Sequence, residues 1–220
     1  MKIVDERIRD YICSLEPGQE ELYERIAEDA RARGIPIVRP ETGALLKTIT
    51  AAKQPGAILE VGTAVGYSAL LMASAAPEHC RITTIEKYPP RVREARENFR
   101  RAGKEEQIQL IEGDAEDVLA RLVGPYDLIF MDAAKGQYLH WLSRLLELMA
   151  PGAVLFSDNV LQDGAVVQSR YAVERRDRTI HSRMREYLYQ LKHCPLLETA
   201  VVPIGDGAAI SVRKGQGEPI

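Results

Sequence analysis

Five short apolar runs, separated by segments with helical periodicity, occupy most of the chain between residues 57 and 159. The runs are AILEVG, RITTIE, IQLIEGD, YDLIFMD and AVLFSDN. Apolar residues follow one another in these runs with little polar alternation, which is typical of strands that are buried on both faces of a sheet. Strand-like and helical segments alternate, so the pattern predicts an α/β fold with a doubly wound, Rossmann-like parallel sheet and right-handed crossovers.

The helical segments place further limits on the architecture. Those between the strands are predicted to begin near Tyr67, Pro90, Ala115 and Tyr138. Residues 1–55 carry apolar residues at helical spacing, including a stretch from about Pro40 to Lys53, and are predicted to cover the sheet or contact another subunit. Because 220 residues suit one α/β domain, we expect a single domain over 1–220 with its core at 56–214.

The alternation of strand and helix stops after Asn159 for about 20 residues. A helix is then predicted near Thr179 to His193, and two strand-like runs follow in LETAVVPIGDGAAISVR. Asp206 and Gly207 lie between these two runs, and Asp-Gly in that position is a common hairpin signal. We therefore expect a mostly parallel sheet of seven strands that ends in one antiparallel strand.

Composition limits the location and the partners of the protein. The first residues, MKIVDERIRDY, mix charged with apolar side chains and contain no signal-peptide core, and no apolar run approaches the roughly 20 residues that span a bilayer. We expect a cytoplasmic protein without membrane contact, with Cys13, Cys80 and Cys194 as reduced thiols. A net charge of −3 disfavours a large nucleic-acid footprint but leaves room for a local basic patch.

Two of the strand-like runs end in side chains with oxygen ligands. FMDAAK contains Asp132, and LFSDN contains Asp158 and Asn159. If these strands are neighbours, about 4.8 Å apart, the three side chains meet at one edge of the sheet. Two carboxylates and an amide are suited to a hard divalent cation such as Mg²⁺.

The other strand ends predict a site for a nucleoside. In EVGTAVGYS, Gly62 and Gly66 allow a ligand to approach the backbone, but the spacing is not the G-x-G-x-x-G of dinucleotide folds. Glu86 can accept hydrogen bonds from a ribose, and Asp114 lies where an adenine would bind. Together they indicate an adenosine-bearing ligand without a pyrophosphate, for which S-adenosylmethionine is suitable.

Each of these residues also has a purely structural interpretation. The glycines would then serve a tight turn and close helix packing. Glu86 would be an exposed carboxylate before a helix, and Asp114 would be the N-cap of the helix from Ala115. These alternatives remain open at the level of the sequence.

The segments EVGTAVGYSAL, GDA, FMDAAK and SDNV, with Glu86, resemble the metal-dependent class I O-methyltransferases, the group that contains catechol and caffeoyl-CoA methyltransferases. The ordered match runs from about Ile35 to Arg213. The resemblance implies Asp132, Asp158 and Asn159 as metal ligands, and Lys135 and Asp132 as catalytic residues. The residues that it implies for the cofactor are Val38, Glu60, Gly62, Ser68, Glu86, Asp114, Ala115 and Asp132. One departure is Ala133, which replaces the histidine of the animal catechol enzymes.

Within this group, GTAVGYSA, MDAAKGQY, SDNVLQDG and PIGDGAAIS resemble most the bacterial methyltransferases that act on 5-hydroxyuridine in tRNA. The resemblance implies methylation at the wobble position to 5-methoxyuridine, with S-adenosylmethionine and Mg²⁺, and a homodimer. The basic segment after Asn159 is consistent with RNA contacts, because arginines bind phosphates and a tyrosine can stack on a base. The residues predicted to do so are Arg170, Tyr171, Arg175, Arg176 and Arg178.

Several alternatives remain for the function. The basic segment can equally be a solvated helix face whose arginines pair with neighbouring acids. A metal site that binds two adjacent oxygens also accepts a small catechol or a caffeoyl-CoA-like phenol. A nicotinamide oxidoreductase lacks support because the G-x-G-x-x-G is missing. A non-catalytic cofactor-binding or RNA-binding protein is the fourth possibility.

Overall fold

A seven-stranded sheet forms the centre of the computed structural model, which describes residues 3–215. The strands are β1 (Ala57–Val61), β2 (Arg81–Glu86), β3 (Ile108–Glu112), β4 (Tyr126–Met131), β5 (Met149–Ser157), β6 (Leu197–Val202) and β7 (Ala208–Arg213). Their order is β3-β2-β1-β4-β5-β7-β6. Strands β1 to β5 pair in parallel, and β7 is antiparallel to both of its neighbours. The predicted α/β sheet and its antiparallel strand are confirmed.

Helices precede the sheet and connect its strands. They are α1 (Glu6–Ser14), α2 (Glu21–Ala32), α3 (Pro40–Lys53), α4 (Tyr67–Ala75), α5 (Pro89–Arg101), α6 (Ala115–Arg121), α7 (Tyr138–Leu148) and α8 (Arg178–His193), with short 3-10 helices at Lys135–Gln137 and Gln162–Val167. The predicted helix starts agree within one residue. The predicted hairpin is confirmed: β6 and β7 pair in antiparallel fashion across a five-residue loop at 203–207, which ends in Asp206 and Gly207.

The core lies on both faces of the sheet because successive strand residues point to opposite sides. On β1, Ile58 packs in one apolar cluster with helices α2 to α5, and Leu59 packs in the other with α6 to α8. Both residues are completely buried. This arrangement explains why the strand runs are apolar throughout.

The N-terminal helices differ in their burial. Tyr23 and Ile26 of α2 are buried in the core, whereas no residue of α1 is buried. Four large apolar residues of the α1 region are instead exposed: Ile8, Tyr11, Ile12 and Leu15. Within residues 3–215, no helix is long and apolar enough to cross a membrane. The division of the domain into an N-terminal helical cap at 1–55 and an α/β core at 56–214 stays a prediction. Residues 1–2 and 216–220 of the predicted domain lie outside the described part of the chain.

A buried carboxyl group connects three elements beneath the carboxyl edge of the sheet. Glu60 on β1 has no exposed surface. Ser68 Oγ on α4 donates to Glu60 Oε1 at 2.5 Å, and Thr84 Oγ1 on β2 donates to Glu60 Oε2. Burial raises the pKa of Glu60 to about 7, against the lowering effect of these two hydrogen bonds.

We expect Glu60→Gln to reduce the pH dependence of folding stability. In the unfolded chain Glu60 ionises near its ordinary pKa of 4.5, whereas in the folded chain it stays protonated up to about pH 7. The folded wild type therefore loses stability as pH rises through this window, by at most about 3 kcal/mol. Urea denaturation at pH 5 and pH 8 measures the change. The same loss of stability in wild type and variant would contradict the assignment.

Candidate functional site

A cavity of about 650 Å³ lies at the carboxyl edge of the sheet. It lies where the chain turns in opposite directions from the neighbouring strands β1 and β4, which is the usual ligand site of an open α/β sheet. Most of the predicted site residues line it. They are Val38, Gly62, Ser68, Glu86, Asp114, Ala115, Asp132, Lys135, Asp158 and Asn159.

The two glycines after β1 have separate reasons for being glycine. At Gly62, with φ +105°, a Cβ atom would lie 2.1 Å from the carbonyl oxygen of Asp132, so the ends of β1 and β4 could not approach. At Gly66, with φ +86°, a Cβ atom would overlap the ring of Phe99 on α5. The tight-turn interpretation is therefore correct for both, and Gly62 lines the cavity as well.

Backbone groups hold the carboxylate of Glu86 at the cavity wall. Its Oε2 accepts the N–H of Ala64 at 3.0 Å, and its Oε1 accepts the N–H groups of Lys87 and Tyr88 at 2.9 Å. Because each carboxylate oxygen has two lone-pair sites, Oε1 is fully used and Oε2 retains capacity for one hydroxyl of a ribose. Glu86 is thus oriented before any ligand binds.

Asp114 serves as a helix cap and as part of the cavity wall. Its Oδ1 accepts the N–H of Glu116 at 3.0 Å, as the N-cap interpretation predicts. This backbone hydrogen bond is the main reason why the pKa of Asp114 lies below its usual value. Lys87 Nζ lies 3.3 Å from its other oxygen. The structural and the ligand-binding interpretations of Asp114 are compatible.

The expected contact of Glu60 with the cofactor is wrong for its side chain. Glu60 is completely buried behind the cavity wall, and its oxygens accept from Ser68 and Thr84. Ser68 does line the cavity. Glu60 therefore acts on a ligand only through the position of Ser68.

Trp141 is a wall residue that the sequence does not predict. Its helical spacing on α7 indicates a core residue, and it is largely buried, yet it also lines the cavity. Its Nε1 donates to Glu116 Oε2 at 2.7 Å. The one sequence feature that could have drawn attention to Trp141 is that it is the single tryptophan of the chain, within the apolar stripe of α7.

Sheet hydrogen bonds align the residues of the predicted metal site. The N–H of Asp132 donates to Val61 O and the N–H of Asp158 to Met131 O, both at 3.0 Å, so each residue extends its strand by one position. Asn159 has φ +59° and donates its N–H to Asp158 Oδ1 at 2.8 Å. The left-handed backbone of a non-glycine residue is a form of strain often found at functional sites.

The electrostatics of this site favour a bound cation. Asp158 is buried and Asp132 is partly buried. Burial raises the pKa of both carboxyl groups, and the charge of Asp132 raises that of Asp158 further. The positive charge of Lys135 acts in the opposite direction on both groups. A divalent cation would neutralise this repulsion far more effectively than one lysine.

The set of ligands is small, which is appropriate for Mg²⁺. Across residues 3–215, no group of three or more His, Cys, Asp or Glu side chains is arranged to hold a metal ion. The predicted trio has two carboxylates and the amide of Asn159. Mg²⁺ commonly binds through one or two carboxylates and retains several waters, so Asp132, Asp158 and Asn159 fit this ion.

Asp206 also lines the cavity, where the sequence favours a turn residue and the resemblance to the plant enzymes places the GDG segment at the border of the substrate pocket. Its negative charge contributes to the raised pKa of Asp132 and of Asp158. Arg39 Nη2 lies 3.4 Å from Asp206 Oδ2 and 2.8 Å from Asp163 Oδ1. Beside Asp132 and Asp158, the predicted metal side of the cavity therefore has a third carboxyl group, which is paired with an arginine.

Lys135 begins a 3-10 helix, Lys135–Gln137, directly above the site. Arg183 on α8 holds this short helix in place, because its Nη1 donates to the carbonyl of Gly136 at 3.0 Å. Lys135 is partly exposed to the cavity. Its position is compatible with the predicted role of a base.

The predicted RNA residues lie outside the cavity lining. Arg178 donates to the carbonyls of Val173 and Tyr171, at 3.1 and 3.4 Å, and so holds the loop before α8. Arg176 pairs with Glu174 and Asp177, as the solvated-face interpretation predicts. The others, Arg170, Tyr171 and Arg175, are exposed.

The chain is similar to known proteins over most of its length. A model of the O-methyltransferase family matches residues 17–214. Catechol O-methyltransferase from Niastella koreensis is 35% identical over 168 residues, which cover 74% of this chain and 76% of that protein. Caffeoyl-CoA O-methyltransferase 2 from Populus trichocarpa is 31% identical over 179 residues, covering 77% and 70%.

A solved structure extends the likeness to the cofactor. The O-methyltransferase TomG from Streptomyces achromogenes, which is involved in tomaymycin synthesis and was solved in complex with SAM, aligns with a TM-score of 0.82. The two sequences are 26% identical, and the alignment covers 95% of this chain and 96% of TomG. The chain therefore belongs to the O-methyltransferase family and has the fold of the SAM-dependent class I methyltransferases.

Proposed function

We propose that this chain uses Mg²⁺ and SAM to methylate 5-hydroxyuridine at the wobble position of tRNA, giving 5-methoxyuridine, in the cytoplasm. The observation that supports it is the joining of two sets of residues in one cavity. Glu86 and Asp114 lie on the nucleoside side, and Asp132, Asp158 and Asn159 lie on the side of the predicted metal site. A methyl donor and an oxygen nucleophile would meet between them.

The protein residues would contribute mainly by positioning and by electrostatics. Glu86 and Asp114 would hold the adenosine portion of the cofactor, and Val38 would contact its methionine portion. In its neutral amine form, Lys135 would accept the proton of the substrate hydroxyl at its Nζ atom. When bound, Mg²⁺ would stabilise the negative charge on the substrate oxygen and lower the pKa of the hydroxyl.

The preference for RNA rests on the resemblance and on the surface beyond the cavity. Tyr171 is 86% exposed, and the neighbouring Arg170 and Arg175 are exposed as well. An exposed aromatic ring flanked by arginines is suited to a base and its phosphates. These residues would bind the anticodon arm while the modified base enters the cavity.

A small catechol or a caffeoyl-CoA-like phenol is the second candidate substrate. The printed names of the Niastella koreensis and Populus trichocarpa relatives favour it. Such a phenol also offers two adjacent oxygens to the predicted metal site. The two candidates differ in the partner surface that they need, because a catechol would not contact the basic segment.

We expect purified protein to transfer labelled methyl groups from SAM to tRNA that contains 5-hydroxyuridine. Transfer should weaken steeply as salt is increased, because phosphate contacts release counterions, whereas methylation of a catechol should change little. Matched tRNA without the 5-hydroxyl group is the control. No label in the hydroxylated tRNA, together with good turnover of a catechol, would support the second candidate.

We expect Asp132→Ala to weaken the binding of SAM and of Mg²⁺ together, because Asp132 lies between the two predicted subsites. Asn159→Ala should weaken mainly the binding of Mg²⁺, since Asn159 extends from β5 on the metal side. Calorimetric titration with SAM, and separately with Mg²⁺, measures both effects. Equal SAM affinities for Asp132→Ala and the wild type would contradict the double role of Asp132.

We also propose a homodimer, supported by the exposed apolar residues of α1. Replacing Ile8 and Leu15 by lysine should shift the protein to monomers, because charges in an apolar contact are costly. Size-exclusion chromatography with light scattering gives the mass directly. A monomeric wild type would refute the proposal, and a dimeric variant would place the contact elsewhere.

A further inference from the structure

The direction of β7 brings Asp206 to the predicted metal site. Because β7 runs antiparallel to β5, its first residues lie beside the last residues of β5, and Ala209 is paired with Ser157. The N–H of Leu161 donates to the carbonyl of Asp206 at 3.0 Å. Asp206 therefore stands beside the segment that carries Asp158 and Asn159.

Close packing fixes the loop that contains Asp206. At Gly205, a Cβ atom would lie 2.5 Å from Thr42 Oγ1 on α3, and at Gly207 it would lie 2.3 Å from the side chain of Leu161. The loop is thus pressed between α3 and the segment after β5. On the side of α3, Arg39 adds an ion pair with Asp206 Oδ2.

The remaining oxygen of this carboxyl group has no partner in the described structure. Asp206 is 8% exposed, and its Oδ1 is buried without a hydrogen bond. A buried acceptor without a donor is costly, and Asp206 belongs to the cavity lining, so the unpaired oxygen indicates a donor that a ligand would supply. Arg39 and the packed loop fix the position of this carboxyl group.

We propose that Asp206 is a specificity residue that accepts the N3–H group of a 5-hydroxypyrimidine; this inference rests on the proposed function. In 5-hydroxyuridine, the O5 and O4 atoms form the pair of adjacent oxygens, and N3–H is the next group around the ring. A ring held with its oxygens toward Asp132 and Asp158 therefore presents a donor beside O4. A catechol has a C–H group at that position and would leave Asp206 Oδ1 unpaired.

The test compares 5-hydroxyuridine with its N3-methyl derivative, both as free nucleosides. Binding is measured by calorimetry with Mg²⁺ and S-adenosylhomocysteine present, so no turnover is needed. The wild type should bind 5-hydroxyuridine more tightly. Asp206→Ala should weaken the binding of 5-hydroxyuridine by roughly 10- to 100-fold, which is the range for a hydrogen bond to a charged group. The same variant should change the binding of the N3-methyl derivative by less than about threefold.

Asp163→Ala is the matched control. Asp163 also pairs with Arg39, but its side chain is 65% exposed and it does not line the cavity. This variant should keep the wild-type preference, and the affinity for S-adenosylhomocysteine should be similar in all three proteins if they are folded alike. A loss of preference in both variants would assign the effect to Arg39 and overturn the role of Asp206.

The other outcomes separate this inference from the proposed function. An undiminished preference in Asp206→Ala, or no binding of 5-hydroxyuridine to the wild type, would overturn the inference even if tRNA is methylated. A preference that depends on Asp206, without methylation of tRNA, would support the inference and refute the tRNA substrate. In that case the protein would recognise the nucleoside, but its macromolecular partner would not be tRNA.

Discussion

Electrostatic repulsion at the ends of β4 and β5 is the constraint on which the site depends. Sheet hydrogen bonds place Asp132 and Asp158 on adjacent strands, and Asp206 adds a third negative charge from the loop before β7. Removing carboxylates from water without a counter-charge is unfavourable, so the fold tolerates this arrangement only with compensation. Lys135 and Arg39 supply part of it, and the proposed cation would supply the rest.

The parallel sheet explains why the other site residues are where they are. The carboxyl ends of β1, β2, β3 and β4 carry Gly62, Glu86, Asp114 and Asp132 in spatial order that follows from strand order. The strand ladder therefore positions side chains that are far apart in the chain without long-range contacts of their own. Local backbone groups complete the arrangement, as at Glu86, whose oxygens accept three N–H groups.

This division also explains what the sequence could predict. Strands, helices and strand-end residues depend on local periodicity, so the sheet and the strand-end residues of the cavity wall follow from the sequence. The family resemblance implies Glu60 at the ligand, but its side chain contacts partners on α4 and β2 that periodicity does not identify. Arg39, Asp163 and Asp206 meet across more than one hundred residues of chain, and no local pattern reports such a contact. The same holds for Arg178, which contacts backbone carbonyls that no motif marks.

Selectivity for the substrate must come from parts of the chain other than the strand ends. The predicted metal trio favours any ligand with two adjacent oxygens, and the nucleoside side serves the methyl donor, so neither distinguishes a uracil from a catechol. Two other features remain: the loop at 203–207, which is held by Arg39 and brings Asp206 to the cavity, and the segment before α8, which lies outside the cavity and is held through its carbonyls by Arg178 and His181. The first would contact the ring itself and, through Asp206, would distinguish an N–H from a C–H group. The second lies outside the cavity and can distinguish only by the size and charge of what is attached to the ring, so the two features would act on separate parts of one substrate.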